Sequence, residues 1–269
     1  MVDKRNYVSV AIPTYNSSKY LKDCIAPLQN SKFINEIVIN DDFSEIEQFE
    51  LLENEVFQIK NNSKINIKLS RNDKNIGAFK NKLLTIEKCS NDLVYQLDSD
   101  NVPQKNLDLV INKIIKINDK NNLYSPAKIY HFMESYKFAK IRSTISKKYK
   151  VRFFNEDYSL DFDDAIEYYK NNKNITIDKN VSWILNLGNF FTFRQNYLDI
   201  IGNSNSIIEH PLSADALTTT YVWLSKGGKI YSLKNFYHFH RKRTDSVSNT
   251  EGDGTRQAYE FYKEKYKQS

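Results

Sequence analysis

The first 120 residues alternate between short apolar runs and segments whose apolar positions recur at helical spacing. Tyr7-Val8-Ser9-Val10-Ala11-Ile12 is rich in β-branched residues and stops at Pro13, which predicts a buried first strand. Pro13 to Ser18 is a turn whose Asn and Ser side chains suit a helix start. Tyr20, Leu21, Cys24, Ile25 and Leu28 then fall on one helical stripe. Phe33 to Ile39 predicts a second strand, residues 45–60 a helix, and Ile65 to Leu69 a short third strand. Ala78 to Cys89 is helix-like, with Leu83, Leu84 and Ile86 inward. Residues 93–98 form the fourth strand, and Leu107 to Ile117 an amphipathic helix. Strand–helix alternation of this kind predicts an α/β fold with a mostly parallel central sheet and helices on both faces. Three strands run out into polar or acidic loops, which such a sheet gathers on one edge, where open α/β sheets bind ligands.

Beyond residue 120 the rhythm loosens. Ser125 to Tyr130 reads as a strand and Phe162 to Tyr169 as a helix. Val181 to Leu185 and Asn189 to Phe193 read as strands separated by Gly188. Arg194 to Ile201 and Ala214 to Lys226 read as helices, the second stopped by Gly227-Gly228. Lys229 to Leu233 and Phe236 to His240 predict two further strands, and spaced aromatics over about 255–266 a final helix. Residues 1–250 read as one domain, 1–120 being its first half and 121–250 its second, with 251–269 a helical tail. No internal repeat is present.

Chemistry enters at Leu97-Asp98-Ser99-Asp100-Asn101. Strand side chains alternate with period two, so a strand continuing through residue 100 would point both carboxylates one way. Two convergent carboxylates suit Mg²⁺ or Mn²⁺ that also holds phosphates. A polar strand-to-loop exit is the competing reading.

Composition narrows the classes. The chain has 269 residues, 40% of them hydrophobic, enough for a real core. The net charge of +6 permits an anionic partner, but 33 acidic residues interspersed with 39 basic ones argue against a gathered nucleic-acid face. Two cysteines, Cys24 and Cys89, make neither a disulfide framework nor a zinc pattern, which fits a reducing compartment. The polar start Met1 to Asn6 predicts no signal peptide, and no apolar run approaches the roughly 20 residues that span a bilayer. A cytoplasmic protein, soluble or peripheral at a membrane, is expected; the sequence sets no oligomeric state.

Four stretches together resemble a known family. Val8 to Asn16 resembles the opening strand and turn of family 2 glycosyltransferases of GT-A (Rossmann-like) fold. Asn40-Asp41-Asp42-Phe43-Ser44 resembles their Asp-Asp-Gly-Ser motif, and Asn75-Ile76-Gly77-Ala78-Phe79-Lys80-Asn81 their Asn-x-Gly…Arg-Asn motif with Lys80 at the arginine. Leu97 to Asn101 matches their Asp-x-Asp. The resemblance covers about the first 105 residues and is looser afterwards.

It implies an inverting transferase of hexosyl or N-acetylhexosaminyl type. A sugar would move from a nucleotide-diphospho-sugar donor, a UDP-sugar first among them, to an acceptor hydroxyl on a glycan, lipid-linked or protein acceptor. On the matched motifs, the donor site comprises Pro13, Thr14, Tyr15, Asn16, Asp41, Asp42, Asn75, Gly77, Lys80, Asp98, Ser99 and Asp100. Thr14, Tyr15 and Asp42 or Asp41 would meet the base, Asp41 having a strand-end cap as its alternative role. Lys80 would face the diphosphate or an aspartate, or be a solvated helix lysine. Asp100 would hold Mn²⁺ or Mg²⁺, and Asp98 the ribose or a metal-bound water. The late segment Tyr237 to Ser248 resembles the family's aromatic, basic stretch. There His240, then His238, is the candidate further metal ligand, and Arg241 and Arg243 are candidate diphosphate contacts. The family's general base lies at the start of the helix before the Gly-x-Lys-Ile strand, which selects Asp215, with Ala214 where Glu is usual and Glu209 as the other candidate. Trp183 and His210 are weaker acceptor contacts, core packing and a plain loop being their alternatives.

Two other readings compete. A nucleotidyltransferase needs a Gly-rich phosphate loop after the first strand, and Pro13-Thr14-Tyr15-Asn16 is not one. A non-catalytic nucleotide-sugar- or carbohydrate-binding module is left open by the departures at 80 and 214.

Overall fold

The computed structural model describes residues 7–132, 150–152, 154–170, 181, 184–204, 215–242 and 252–269. Ten strands make one mixed sheet: β1 (Val8–Thr14), β2 (Ile34–Asp41), β3 (Asn66–Arg71), β4 (Leu93–Gln96), β5 (Val102–Pro103), β6 (Asn122–Phe132), β7 (Lys150–Arg152), β8 (Tyr158–Leu160), β9 (Phe190–Phe193) and β10 (Lys229–Arg241). The helices are α1 (Leu21–Ile25), α2 (Ile46–Asn61), α3 (Ala78–Glu87), α4 (Asp108–Ile117), α5 (Phe162–Lys170), α6 (Arg194–Ile201), α7 (Asp215–Ser225) and α8 (Gly252–Gln268).

The sheet order is β3-β2-β1-β4-β9-β6-β10-β5, with β7 on β6 and β8 on β10. β1 pairs in parallel with β2 and β4, and β2 with β3, as the strand–helix alternation predicts. β9 is antiparallel to both β4 and β6, while β6 and β10 run parallel again. The two halves of the chain thus share a single sheet, joined through β9.

Period-two alternation along β1 builds two cores. Val8, Val10 and Ile12 point to one face, against Leu21 and Ile25 of α1, Leu52 and Val56 of α2, and Val110, Ile111 and Ile114 of α4. Ala11, with Val38 and Val94, points to the other, where Phe79 and Ile86 of α3, Tyr197 of α6 and Trp223 of α7 are packed. The C-terminal helix completes this second layer. Ala258, Tyr262 and Tyr266, spaced by four, are buried, and Tyr266 stacks on Tyr169 of α5 with ring centroids 4.9 Å apart.

Three elements differ from expectation. In the stretch expected to be extended over 181–185, the described residues Val181 and Ile184 are helical instead, and the Leu185 amide donates to the Val181 carbonyl at 3.0 Å. Val181, Ile184 and Leu185 are buried at i, i+3, i+4, a helical stripe inside a β-rich composition. The strands expected at 229–233 and 236–240 are one strand, β10, whose register against β6 shifts between Leu233 and Tyr237. The strand expected over 93–98 ends at Gln96 and does not continue through Asp100. One more sheet bond follows, from the Leu97 amide to the Ala11 carbonyl at 3.0 Å, and then the Asn101 amide turns back to the Asp98 carbonyl at 3.1 Å.

Candidate functional site

The carboxyl ends of β1, β2 and β4 meet on one edge, and their loops are tied together by side chains. A hydroxyl chain links the first loop to the fourth: Thr14 Oγ1 lies 2.7 Å from Ser17 Oγ, which lies 2.7 Å from Ser99 Oγ. Asn16 has φ 46°, a left-handed conformation that asparagine tolerates, and its side chain accepts the Glu45 amide at 3.0 Å. Tyr15, directly after β1, is half exposed.

The aspartates at the last residue of β2 and just after it brace loops. Asp41 is fully buried and accepts from the Ser44 amide at 3.0 Å and the Ser44 hydroxyl, with the Arg71 Nε at 3.3 Å. That is the strand-end cap considered above. Asp42 accepts the amides of Ile76 and Gly77, each at 2.9 Å, and the Asn72 amide group at 2.8 Å. Gly77 has φ 84°, a conformation that side chains rarely adopt, and it sets the start of α3. The Asn75 side chain also accepts the Gly77 amide, at 3.0 Å. Phe43, which the sequence reading passed over, is 48% exposed at φ 63°, with the Arg71 guanidinium 5.0 Å from its ring centre. Tyr15 and Phe43 are both exposed aromatics on this edge.

Two lysines of α3 stand in different surroundings. Lys80 is exposed on α3. Lys82, two residues on, is the cation of the site. Its ammonium lies 2.8 Å from Asp98 Oδ1 and 2.5 Å from Asp215 Oδ2, with its side chain only 9% exposed. A signal was present in the sequence: Phe79, Lys82 and Ile86 lie on one helical stripe, and a lysine on a core-facing stripe needs a buried partner. Burial by itself would lower the lysine pKa, but the charges of Asp215 and then Asp98 outweigh it and push Lys82 above the ordinary lysine range. Asp98 is pushed up to about 6, first by desolvation, with Asp215 and Asp100 adding to the rise and Lys82 opposing it. Asp98 is further fixed by Asn189, whose Oδ1 accepts the Asp98 amide at 2.7 Å.

The turn, rather than strand alternation, therefore divides the Asp-x-Asp pair. Asp98 engages Lys82, while the charge of Asp100 acts on His240 of β10. Burial lowers the His240 pKa against that opposing pull, so the ring is largely neutral at pH 7. Burial and the neighbouring His240 also hold His238 well below the usual range. His131, the cross-strand partner of His240, is lowered to about 4, by burial first. The rings of His131 and His240 are 5.2 Å apart, so three of the chain's four histidines gather here. His131 is the one the sequence reading missed, because only the β6–β10 pairing brings it in.

Arg241 is buried rather than presented to the edge. Its guanidinium donates to Asp23 at 3.0 Å and to the Asp100 carbonyl at 3.0 Å, between the rings of Tyr20 and Phe132. It clamps β10 to the Asp98–Asn101 turn. Trp183, Glu209, His210 and Arg243 lie outside the described residues. Among the described residues no three His, Cys, Asp or Glu side chains form a metal cage, and no helix is long and apolar enough to cross a membrane.

A parallel β1–β2–β4 edge with these loops, continued by an antiparallel strand into a second half, is a GT-A fold, and solved structures agree. Over 95% of this chain, S. aureus TarS 1-349 in complex with UDP-GlcNAc superposes with a TM-score of 0.61 at 18% identity. GalNAc-T7 with UDP, GalNAc and Mn²⁺ matches over 97% of the chain with a TM-score of 0.62 at 16% identity. The chain spans 65% of that TarS fragment and 50% of the GalNAc-T7 chain. No curated protein matches it. The family model for glycosyl transferase family 2 matches residues 9–182, and the chain belongs to that family.

Proposed function

We propose that this chain is an inverting glycosyltransferase that moves a hexosyl or N-acetylhexosaminyl group from a UDP-sugar to an acceptor hydroxyl, releasing UDP. The observation that carries it is the Lys82 bridge, which draws Asp98 of the fourth loop and Asp215 at the start of α7 to the carboxyl edge of the parallel strands. Donor chemistry in structures of the same fold supports the reading: TarS was solved with UDP-GlcNAc and GalNAc-T7 with UDP.

In this reading Tyr15 and Phe43 offer aromatic surface to the base, with Thr14 beneath. Asp215, 18% exposed, takes the proton of the acceptor hydroxyl as its oxygen bonds to the anomeric carbon from the side opposite the departing diphosphate. Asp100 and the neutral His240 are a hard oxygen and an imidazole, suited to a divalent cation that completes its shell with phosphate oxygens. A bound Mn²⁺ or Mg²⁺ would supply Lewis-acid neutralisation of the leaving diphosphate. Residues 1–250 act as one unit in this scheme, the acceptor half supplying the base.

The test is calorimetric titration of UDP with and without Mn²⁺, alongside UDP release from UDP-sugars. UDP should bind only with Mn²⁺, and Asp100→Ala should abolish that binding. Asp215→Asn should bind UDP normally and lose roughly 10²–10⁴-fold in transfer. An Asp215→Asn variant that transfers at the wild-type rate removes the base assignment. Binding of no nucleotide under any metal condition points to a non-catalytic module.

A further inference from the structure

We propose that Lys82 is a positioning residue for the transfer step, acting through Asp215 by clamping its carboxylate against the Asp98 anchor. The inference deepens the reading above and rests on it. Its basis is geometric. Lys82 comes from α3 in the first half of the chain and Asp215 from α7 in the second, and α3 and α7 pack against one another. An ammonium offers three N–H donors; two of them reach Asp215 Oδ2 and Asp98 Oδ1 at 2.5 and 2.8 Å. The Lys82 side chain is buried and its ammonium is held by two carboxylates, so the head has little freedom to leave.

The anchor is itself over-determined. The Asp98 amide is held by Asn189, and the Asn101 side chain lies 3.4 Å from Asp98 Oδ2. Gly188 leaves open the space into which that same oxygen projects. The chain therefore fixes Asp98, Asp98 fixes the Lys82 head, and the head fixes Asp215. With the cation removed, two carboxylates are left side by side and repel, and since Asn189 and Asn101 still hold Asp98, Asp215 is the one that yields. A general base displaced by about 1 Å costs on the order of 10²-fold in rate.

A double-mutant cycle tests this, read as kcat and KM for UDP release from UDP-GlcNAc or UDP-GalNAc, whichever the wild type turns over. Lys82→Met should lower kcat about 10²-fold and leave the donor KM nearly unchanged. Lys82→Arg should restore most of the loss. In the Asp215→Asn background, Lys82→Met should add no further loss, because both act on one group. Losses that multiply, or a loss confined to KM, overturn the inference and leave Asp215 as the base. A wild-type rate in Asp215→Asn overturns both assignments together. Should Lys82→Met fail to fold, Lys82→Gln replaces it, keeping a hydrogen-bonding head without the charge. A crystal structure of either neutral variant gives a readout independent of turnover: Asp215 should leave its place, and its retention there sinks the proposal.

Discussion

Gly188 and Asp98 approach so closely that a methyl group has no room between them. A Cβ on Gly188 would lie 2.7 Å from Asp98 Oδ2 and 3.9 Å from Lys82 Nζ. Asp98 has one short rotatable stem and is tied to Lys82, so it cannot yield without breaking that pair. The glycine between the two segments near 185 and 190 is therefore a spacing requirement of the site, not a turn requirement.

Gly188→Ala should displace the Asp98 carboxylate and loosen the Lys82 bridge. The expected result is a fall in transfer on the order of 10²-fold, with a folded protein by circular dichroism. Wild-type turnover in this variant would mean that the Asp98 position is not critical.

Acid should weaken the fold partly through His131. Its pKa is about 4 in the folded chain, against an ordinary 6.5, with burial the main cause and the charges of His240 and Lys242 adding to it. The folded state then binds fewer protons than the unfolded one between pH 4 and 6.5, so this contribution is complete above pH 6.5 and is lost as pH falls toward 4. By pH 5 the loss is about 2 kcal/mol. Asp98 has the opposite sign, since its raised pKa favours folding as pH falls through 6. Comparison of His131→Phe with wild type isolates the histidine. The drop in melting temperature between pH 7.5 and 5 should be smaller in the variant by about 5 °C; equal drops would exclude the assignment.

The neighbouring glycines after α7 should respond differently to substitution. A Cβ on Gly228 would meet Trp223 Nε1 at 2.3 Å and Cδ1 at 2.5 Å. That indole is fully buried, and its N–H donates to the Lys229 carbonyl at 3.0 Å. Gly228→Ala should cost about 1–3 kcal/mol and several degrees in melting temperature. Gly227 has φ 83° with no atom within 4 Å of a built Cβ, so Gly227→Asn, which tolerates that conformation, should cost less. Differential scanning calorimetry of the two variants checks the order.

Local patterning was enough for the scaffold. β-branched runs ended by Pro13 and by Asp41, and helical stripes such as Val110-Ile111-Ile114, are decided within a few residues, so the sequence alone determined the parallel β1, β2, β4 edge and its covering helices. It also placed Asp98, Asp100 and Asp215 as candidates through motif order. Tertiary structure decided what depends on distant partners. Nothing near residue 82 announces that its ammonium meets Asp98 and Asp215, since those contacts span 16 and 133 positions in the chain. His131 joins His240 only through a strand pairing across 109 residues. Arg241 has the composition of an exposed basic stretch, yet it is buried, because Tyr20, Phe132 and Asp23 arrive from three other elements to enclose it. Charge pairing and burial are properties of the assembled chain, and they decided that Lys82 is paired, that His131 lies beside His240 and that Arg241 is enclosed.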